Sequence, residues 1–133
     1  MTKRQLVINE FDRMLRDKIS HVFEWRTVPL SENEKPGIVY RDTLFDLIDG
    51  NIGTFRWSLR IEIAVFASSA AQTRELLSEV LQIVKEGDAD NWGGIASDTV
   101  LISGELGVEQ HDVINSAAVI TVDIYYDTAL WEM

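Results

Sequence analysis

The sequence predicts an α/β domain of the α+β type, with a mainly antiparallel sheet of about four to five strands and two helices packed on it. Two stretches, 54–67 and 118–127, alternate between apolar and polar residues, which is the pattern of half-buried strands. Two others, 2–20 and 69–87, space their apolar residues by three and four, as amphipathic helices do. Consecutive antiparallel strands with both helices on one face are the simplest packing of these elements.

The length and composition predict one soluble domain. A chain of 133 residues suits a single core, and we expect residues 1–133 to form it. The chain contains no cysteine, so disulfides and thiolate metal sites are excluded. No apolar run approaches the roughly 20 residues that cross a bilayer, and we expect no membrane partner.

The first half of the chain reads as a helix followed by three strands. The helix has one apolar stripe, formed by Ile8, Phe11, Met14, Leu15, Ile19 and Val22. Residues 22–26 predict a short strand, residues 30–37 an exposed loop and residues 37–47 a second strand. The Asp-Gly pair and second glycine within 49–53 predict a hairpin turn into the long strand at 54–67.

The second helix begins and ends with recognisable signals. Ser69 and Gln72 predict a capping box at its first turn, and Gly87 predicts its C-terminal end. Residues 88–94 then have the composition of a loop. Both predicted helices have an apolar stripe, which we expect to be buried against an apolar face of the sheet.

The last third predicts two more strands. Residues 99–109 alternate, although Gly104 and Gly107 indicate a bulge or a close backbone approach. Residues 110–112 supply the turn, and residues 118–127 form the second clear strand of the chain.

Charge is unevenly distributed along the chain. All 12 Lys and Arg residues lie in residues 1–86, whereas residues 87–133 hold nine acids and no Lys or Arg. A surface built from the last third repels phosphate backbones and attracts basic partners, so sequence-specific nucleic-acid binding is not expected. A solvated acidic face that aids solubility is the alternative interpretation.

No motif predicts catalysis. His111 beside Asp112 invites comparison with a catalytic triad, but no serine stands in a nucleophile elbow. Asp88 and Asp90 resemble the start of a calcium loop, yet Trp92 occupies a ligand position and the closing glutamate is missing. We therefore predict that the protein is not an enzyme and has no cofactor, and we leave open a divalent cation such as magnesium at Asp88 and Asp90 that assists assembly.

Four tryptophans are numerous for this length. Core packing accounts for Trp57, which lies in the long alternating strand. Trp92, in a glycine-rich loop, and Trp131 have less reason to be inside a monomer. Both are candidate interface anchors, because tryptophan is enriched at interface hot spots.

Three features together resemble the tail-terminator proteins of long-tailed bacteriophages, the minor tail protein U family. They are the N-terminal amphipathic helix, the long strand at 59–67 that leads directly into a helix, and a last strand followed by Trp131-Glu132-Met133. The resemblance implies a hexameric ring that caps the tail tube, stops its polymerisation and provides the head-attachment surface. It implies tail tube and head-tail connector proteins as partners, location in the virion tail after assembly in the bacterial cytoplasm, and no catalytic residue.

Under this resemblance, Asp123 and Asp127 on one strand face are candidates to line the lumen of the ring or to dock a basic neighbouring ring. Two other classes of function stay open. One is an acidic binding module, an adaptor or nucleic-acid-mimicking inhibitor that docks on a basic partner. The other is an enzyme with unrecognised catalytic carboxylates.

Overall fold

A computed structural model describes residues 1–51, 53–106 and 116–133 of the chain. The helices are α1 (Lys3–Lys18), α2 (Ala70–Ala89) and the short α3 (Asn91–Gly94), with one 3-10 turn at Glu32–Glu34. The strands are β1 (Val22–Glu24), β2 (Gly37–Asn51), β3 (Thr54–Phe66), β4 (Asp98–Leu106) and β5 (Ser116–Ala129).

The described strands form one five-stranded sheet in the order β1-β2-β3-β5-β4. β1 runs parallel to β2, and every other neighbouring pair is antiparallel. β3 lies at the centre and pairs along its whole length with β2 on one side and β5 on the other. The predicted α+β class with a mainly antiparallel sheet of four to five strands is confirmed.

Both long helices pack on one face of the sheet. Alternate residues of β3 and β5 are buried against them, as the period of two predicts. The largest fully buried side chains are Trp92, Tyr40, Tyr126, Phe11, Leu15, Ile38, Leu59, Ile61, Ile63, Ile83, Ile124 and Val7. We call the other side of the sheet, away from α1 and α2, the open face. Its apolar part is a small cluster of Leu30, Val39 and Phe66.

The helix caps follow the sequence with one difference. Thr2 caps α1 by accepting a hydrogen bond from the Gln5 backbone, and Ser69 caps α2 by accepting one from the Gln72 backbone. The reciprocal bond predicted from Gln72 to Ser69 is wrong, because the Gln72 side chain accepts from the backbone of Ser68 instead. Two orphan backbone donors are still satisfied.

The predicted ends of β2 and α2 and the predicted position of the bulge in β4 differ from the structure. β2 continues to Asn51, so the turn predicted at 49–53 is shorter, and its residue 52 lies outside the described part. α2 continues to Ala89, and part of the loop predicted at 88–94 forms α3. The register shift in β4 lies between Leu101 and Ser103, not at Gly104. Gly107 and the turn predicted at 110–112 fall outside the described residues.

Candidate functional site

An exposed aromatic surface lies at the end of the sheet where the β2–β3 hairpin turns. A pocket of about 320 Å³ there is lined by Leu47, Phe55, Trp57, Trp131, Glu132 and Met133. The three aromatic rings form a chain of edge-on contacts, with Phe55 5.7 Å from Trp57 and 5.4 Å from Trp131. We call these six residues the Trp131 shelf.

Hydrogen bonds fix the backbone beneath the shelf. The Trp57 indole N–H donates to the Thr128 hydroxyl at 3.0 Å and to the Glu132 carbonyl at 2.9 Å. The Arg4 backbone N–H donates to the Met133 carbonyl at 2.8 Å, so the start of α1 is tied to the residues after β5. The shelf is therefore held by β3, β5 and α1 together.

Trp131 itself is the most exposed tryptophan in the described structure, with 88% of its surface accessible. Its backbone has φ of 65°, a left-handed conformation that is uncommon for a non-glycine residue. A large aromatic side chain left in solvent beside an apolar pocket is a candidate interface hot spot. The predicted role of Trp131 as an interface anchor has this geometry in its favour and stays a prediction.

A larger cavity of about 910 Å³ adjoins the shelf on the side of α1. Its lining includes Met1, Lys3, Asp127 and Trp131. The Lys3 ammonium donates to the Asp127 carbonyl at 2.6 Å and closes one side of this cavity. The surface around Trp131 thus offers both an apolar pocket and a polar rim.

A buried arginine anchors α1 beside the same surface. The Arg4 guanidinium donates to the Asp42 carboxylate at 3.0 and 3.3 Å and to the Leu44 carbonyl at 3.0 Å. Burial raises the pKa of Asp42, but hydrogen bonds from Trp25 and Arg4 outweigh it, so the net pKa is lowered. The ionised pair locks α1 onto β2.

The open face carries cross-strand ion pairs. Arg60 on β3 donates two hydrogen bonds to Asp123 on β5, at 2.8 and 3.0 Å. Arg56 contacts Asp98 at 3.2 Å and Asp127 at 3.5 Å. Arginines of the central strand therefore neutralise acids of both strands from the acidic last third.

Asp123 and Asp127 lie on one face of β5, as predicted, because their cross-strand partners Arg60 and Arg56 share the open face. Asp123 does not present a free carboxylate, since only 4% of the residue is accessible. The expectation that Asp123 lines a lumen or docks a partner directly needs correction, because β3 supplies its counter-charge. Asp127 is exposed, lines the larger cavity beside the shelf and contacts Arg56.

The prediction that Trp92 lies outside the core is wrong. Its indole is fully buried, with the ring 5.4 Å from that of Phe11 and the N–H donating to the Thr99 hydroxyl at 2.8 Å. A left-handed backbone at Asn91 and Trp92 turns the side chain inward after α2. Trp92 is therefore a core residue and not an interface anchor.

The two candidate cation ligands, Asp88 and Asp90, lie at the end of α2. Asp90 accepts a hydrogen bond from the Gly93 backbone at 3.1 Å and caps α3, while Asp88 is an exposed residue near the end of α2. Within residues 1–51, 53–106 and 116–133, no group of three or more His, Asp or Glu side chains is placed to hold a metal ion. Magnesium at Asp88 and Asp90 stays an untested expectation.

Sequence reasoning missed most of the shelf. The sequence pattern places Phe55 and Leu47 in strands and predicts no surface role for them, and only the resemblance points to Met133. A signal was present, because the apolar alternation of β3 begins at Phe55, before the stretch that the helices cover. Apolar residues of a strand that extend beyond the covering helices are exposed in the monomer, and a cluster of them indicates a contact surface.

Comparisons with known proteins do not identify the chain. Its sequence matches no model of a protein family and no curated protein at a significant level. Among the described helices, none is long and apolar enough to span a membrane.

Proposed function

We propose that this protein is a structural tail protein of a phage or prophage, a ring-forming tail terminator that caps the tail tube, stops its polymerisation and offers the head-attachment surface. The observation that carries the proposal is the Trp131 shelf. A monomeric role gives no reason to leave a tryptophan 88% exposed beside an apolar pocket. A subunit that meets its own copies and two neighbouring rings needs such surfaces.

The architecture supports the same proposal. The N-terminal helix, the long strand running into a second helix and the last strand that ends at the shelf are the features that resemble the minor tail protein U family. The structure joins two of them physically, since Arg4 at the start of α1 bonds to Met133 after β5. The proposed partners are further copies in a hexamer, the tail tube protein and the head-tail connector.

The alternative acidic binding module has less support. A nucleic-acid mimic needs a row of uncompensated carboxylates, as the phosphates of a duplex are. On the open face, Asp98, Asp123 and Asp127 are paired with arginines of β3. Two arginines thus meet three acids of the last third there, and the open face is mixed in charge.

The function is tested by the length of tails in the phage or prophage that encodes the chain. Without the protein, tails should grow past their normal length and carry no heads, because nothing stops the tube or binds the connector. Wild-type protein should restore normal tails, and Trp131→Ala should not. Tails of normal length with attached heads in the absence of the protein would overturn the proposal.

A further inference from the structure

An apolar groove lies between α2 and the edge strand β4. Its volume is about 250 Å³, and its apolar lining includes Leu77, Leu81, Leu101, Gly104 and Ile120. Leu81 and Leu101 are 41% and 54% exposed in the described structure. Pockets that hold small ligands usually have volumes of about 300–1,000 Å³, so one large side chain suits this groove better than a cofactor does. We call it the α2–β4 groove.

The helix wall of the α2–β4 groove carries two cations. Arg74 lies three residues before Leu77, and Lys85 lies four residues after Leu81. Spacings of three and four put residues on the same side of a helix, so both cations stand beside the leucines. Both are exposed, and neither forms an ion pair or a hydrogen bond among the described residues. The helix wall is therefore basic, while Glu105 lines the groove on the side of β4.

Trp131 is the side chain of this protein that best matches the groove. A groove does not fill a groove, so the occupant has to protrude if the contact is to be closely packed. Trp131 is 88% exposed, and no hydrogen bond holds its indole N–H among the described residues. Trp25 is 53% exposed, but its indole N–H donates to Asp42 at 2.9 Å and ties the ring to its own chain.

The charge next to Trp131 is opposite to that of the helix wall. Glu132 follows Trp131 directly and is exposed, and its carboxylate has no ion-pair or hydrogen-bond partner among the described residues. An indole seated in the groove brings this carboxylate to the wall that carries Arg74 and Lys85, where opposite charges meet. Contact between the shelves of two copies would instead bring two Glu132 carboxylates together, which is unfavourable.

We propose that Trp131 of one copy occupies the α2–β4 groove of a second copy, with Glu132 beside the cations Arg74 and Lys85. An aromatic ring in an apolar pocket surrounded by polar groups is the usual arrangement of an interface hot spot. The contact is head to tail, because the tryptophan and the groove are different surfaces of the chain. The inference rests on the proposed ring and names its contact, since a head-to-tail contact either closes into a ring or grows into a filament.

Two variants with complementary defects test this contact. Trp131→Ala lacks the protruding ring and keeps the groove, whereas Leu81→Glu keeps the ring and places a charge in the groove. Leu81 is 41% exposed, so the fold tolerates this substitution. We expect each variant alone to be monomeric at concentrations where the wild type associates. An equimolar mixture should form a dimer with one copy of each variant and nothing larger, because only one intact contact is present in each pair.

Each alternative contact gives a different result in the same light-scattering measurement. Leu81→Glu protein that dimerises alone would indicate contact between two shelves, and Trp131→Ala protein that dimerises alone would indicate contact between two grooves. Either result would overturn the proposal, as would a mixture that stays monomeric while both variants keep the circular dichroism spectrum of the wild type. Trp25→Ala removes the other exposed tryptophan and should assemble like the wild type.

Charge reversal gives an independent readout. Glu132→Lys should weaken self-association about fivefold, and adding Arg74→Glu and Lys85→Glu to it should recover most of the loss. Glu79→Lys changes the net charge as Glu132→Lys does, at an exposed position on the opposite side of α2 from the groove, and should leave association unchanged. A Glu132→Lys protein that associates like the wild type, or a triple variant weaker than Glu132→Lys alone, would contradict the contact.

The two proposals fail in distinguishable ways. Closed rings formed by Leu81→Glu protein would overturn the contact and leave the tail-terminator function in place. A one-to-one dimer in the mixture, together with normal tails and attached heads in a phage lacking the protein, would support the contact and overturn the function.

Discussion

Arg60 and Asp123 face each other across β3 and β5 and are joined by two hydrogen bonds of 2.8 and 3.0 Å. The two parallel bonds from one guanidinium fix both the distance and the angle of the carboxylate. Their formation raises the pKa of Arg60. The pair joins the part of the chain that holds every basic residue to the part that holds none, at the centre of the sheet.

Removal of Arg60 should destabilise the fold. Arg60→Ala leaves the covered Asp123 carboxylate without its counter-charge, and we expect a loss of about 2 kcal/mol in the free energy of unfolding. The matched control is Arg13→Ala, which breaks the exposed Arg13–Glu10 pair on α1 and should cost much less, because water screens that pair. Urea unfolding measures both, and equal losses would contradict the structural role given to Arg60.

Gly87 is needed for close packing beneath Trp92. A Cβ atom at this position would lie 2.3 Å from two atoms of the Trp92 ring. Alanine in a helix interior is normally about 1 kcal/mol better than glycine, but the clash forces the indole to move, so Gly87→Ala should cost about 1–3 kcal/mol. Ser78→Ala, at an exposed position of the same helix, should be neutral or slightly stabilising in the same thermal unfolding assay. A stabilised Gly87→Ala protein would show that the indole is free to move.

Gly87 also shows why parts of the fold could not be predicted. Its place near the end of a periodic segment suggested a helix end, yet α2 continues to Ala89. The real constraint comes from Trp92, which folds back onto the helix through a left-handed backbone at residues 91 and 92. Local patterns report local structure, whereas this contact depends on a tertiary turn that propensities do not encode. The strands β3 and β5 were predictable because a strand with one buried face alternates apolar and polar residues along its sequence.

The two tryptophans first grouped as interface anchors should behave in opposite ways. Trp92→Ala empties a fully buried site and should cost about 3–5 kcal/mol. Trp131→Ala removes an exposed ring that touches Phe55 and should cost less than about 1 kcal/mol while abolishing self-association. Chemical unfolding and the mass in solution separate these outcomes. A Trp131→Ala protein that assembles like wild type would remove the shelf from the ring contacts.

Acid should weaken the loop that carries Val28. Hydrogen bonds from Arg26 and from the backbone and hydroxyl of Ser31 lower the pKa of Glu34 to about 2 from an ordinary 4.5. A carboxylate with a lowered pKa stabilises the fold fully above its unfolded pKa, and this stability is lost as the pH falls from about 4.5 towards 2.

The variant Glu34→Gln lacks this group and should lose less stability than wild type when the unfolding midpoint is compared at about pH 7 and pH 3. Glu75→Gln, an exposed acid of α2 without a hydrogen-bond partner among the described residues, serves as the control and should follow wild type. Identical pH dependence in all three proteins would show that Arg26 does not hold Glu34 ionised.

The candidate site was only partly predictable. A tryptophan outside any strand pattern is a candidate for the surface, which holds for Trp131 but fails for Trp92, because a tertiary turn carries Trp92 into the core. Asp123 seemed equally exposed, since a strand's polar face usually meets water, and only the register shows Arg60 directly opposite. Cross-strand partners depend on which strands are neighbours in the sheet. β3 and β5 are neighbours there, although α2, α3 and β4 separate them along the chain. One sequence does not give that order.

The mass of the purified protein, measured by light scattering during size exclusion over a range of concentrations, tests the central claim most directly. The measurement is made with and without millimolar magnesium, which also tests the expected help of a divalent cation. We expect a species of six subunits that grows no further and that the Trp131→Ala protein does not form. A monomer at every concentration in both buffers, or a mass that rises without limit, would contradict a closed ring.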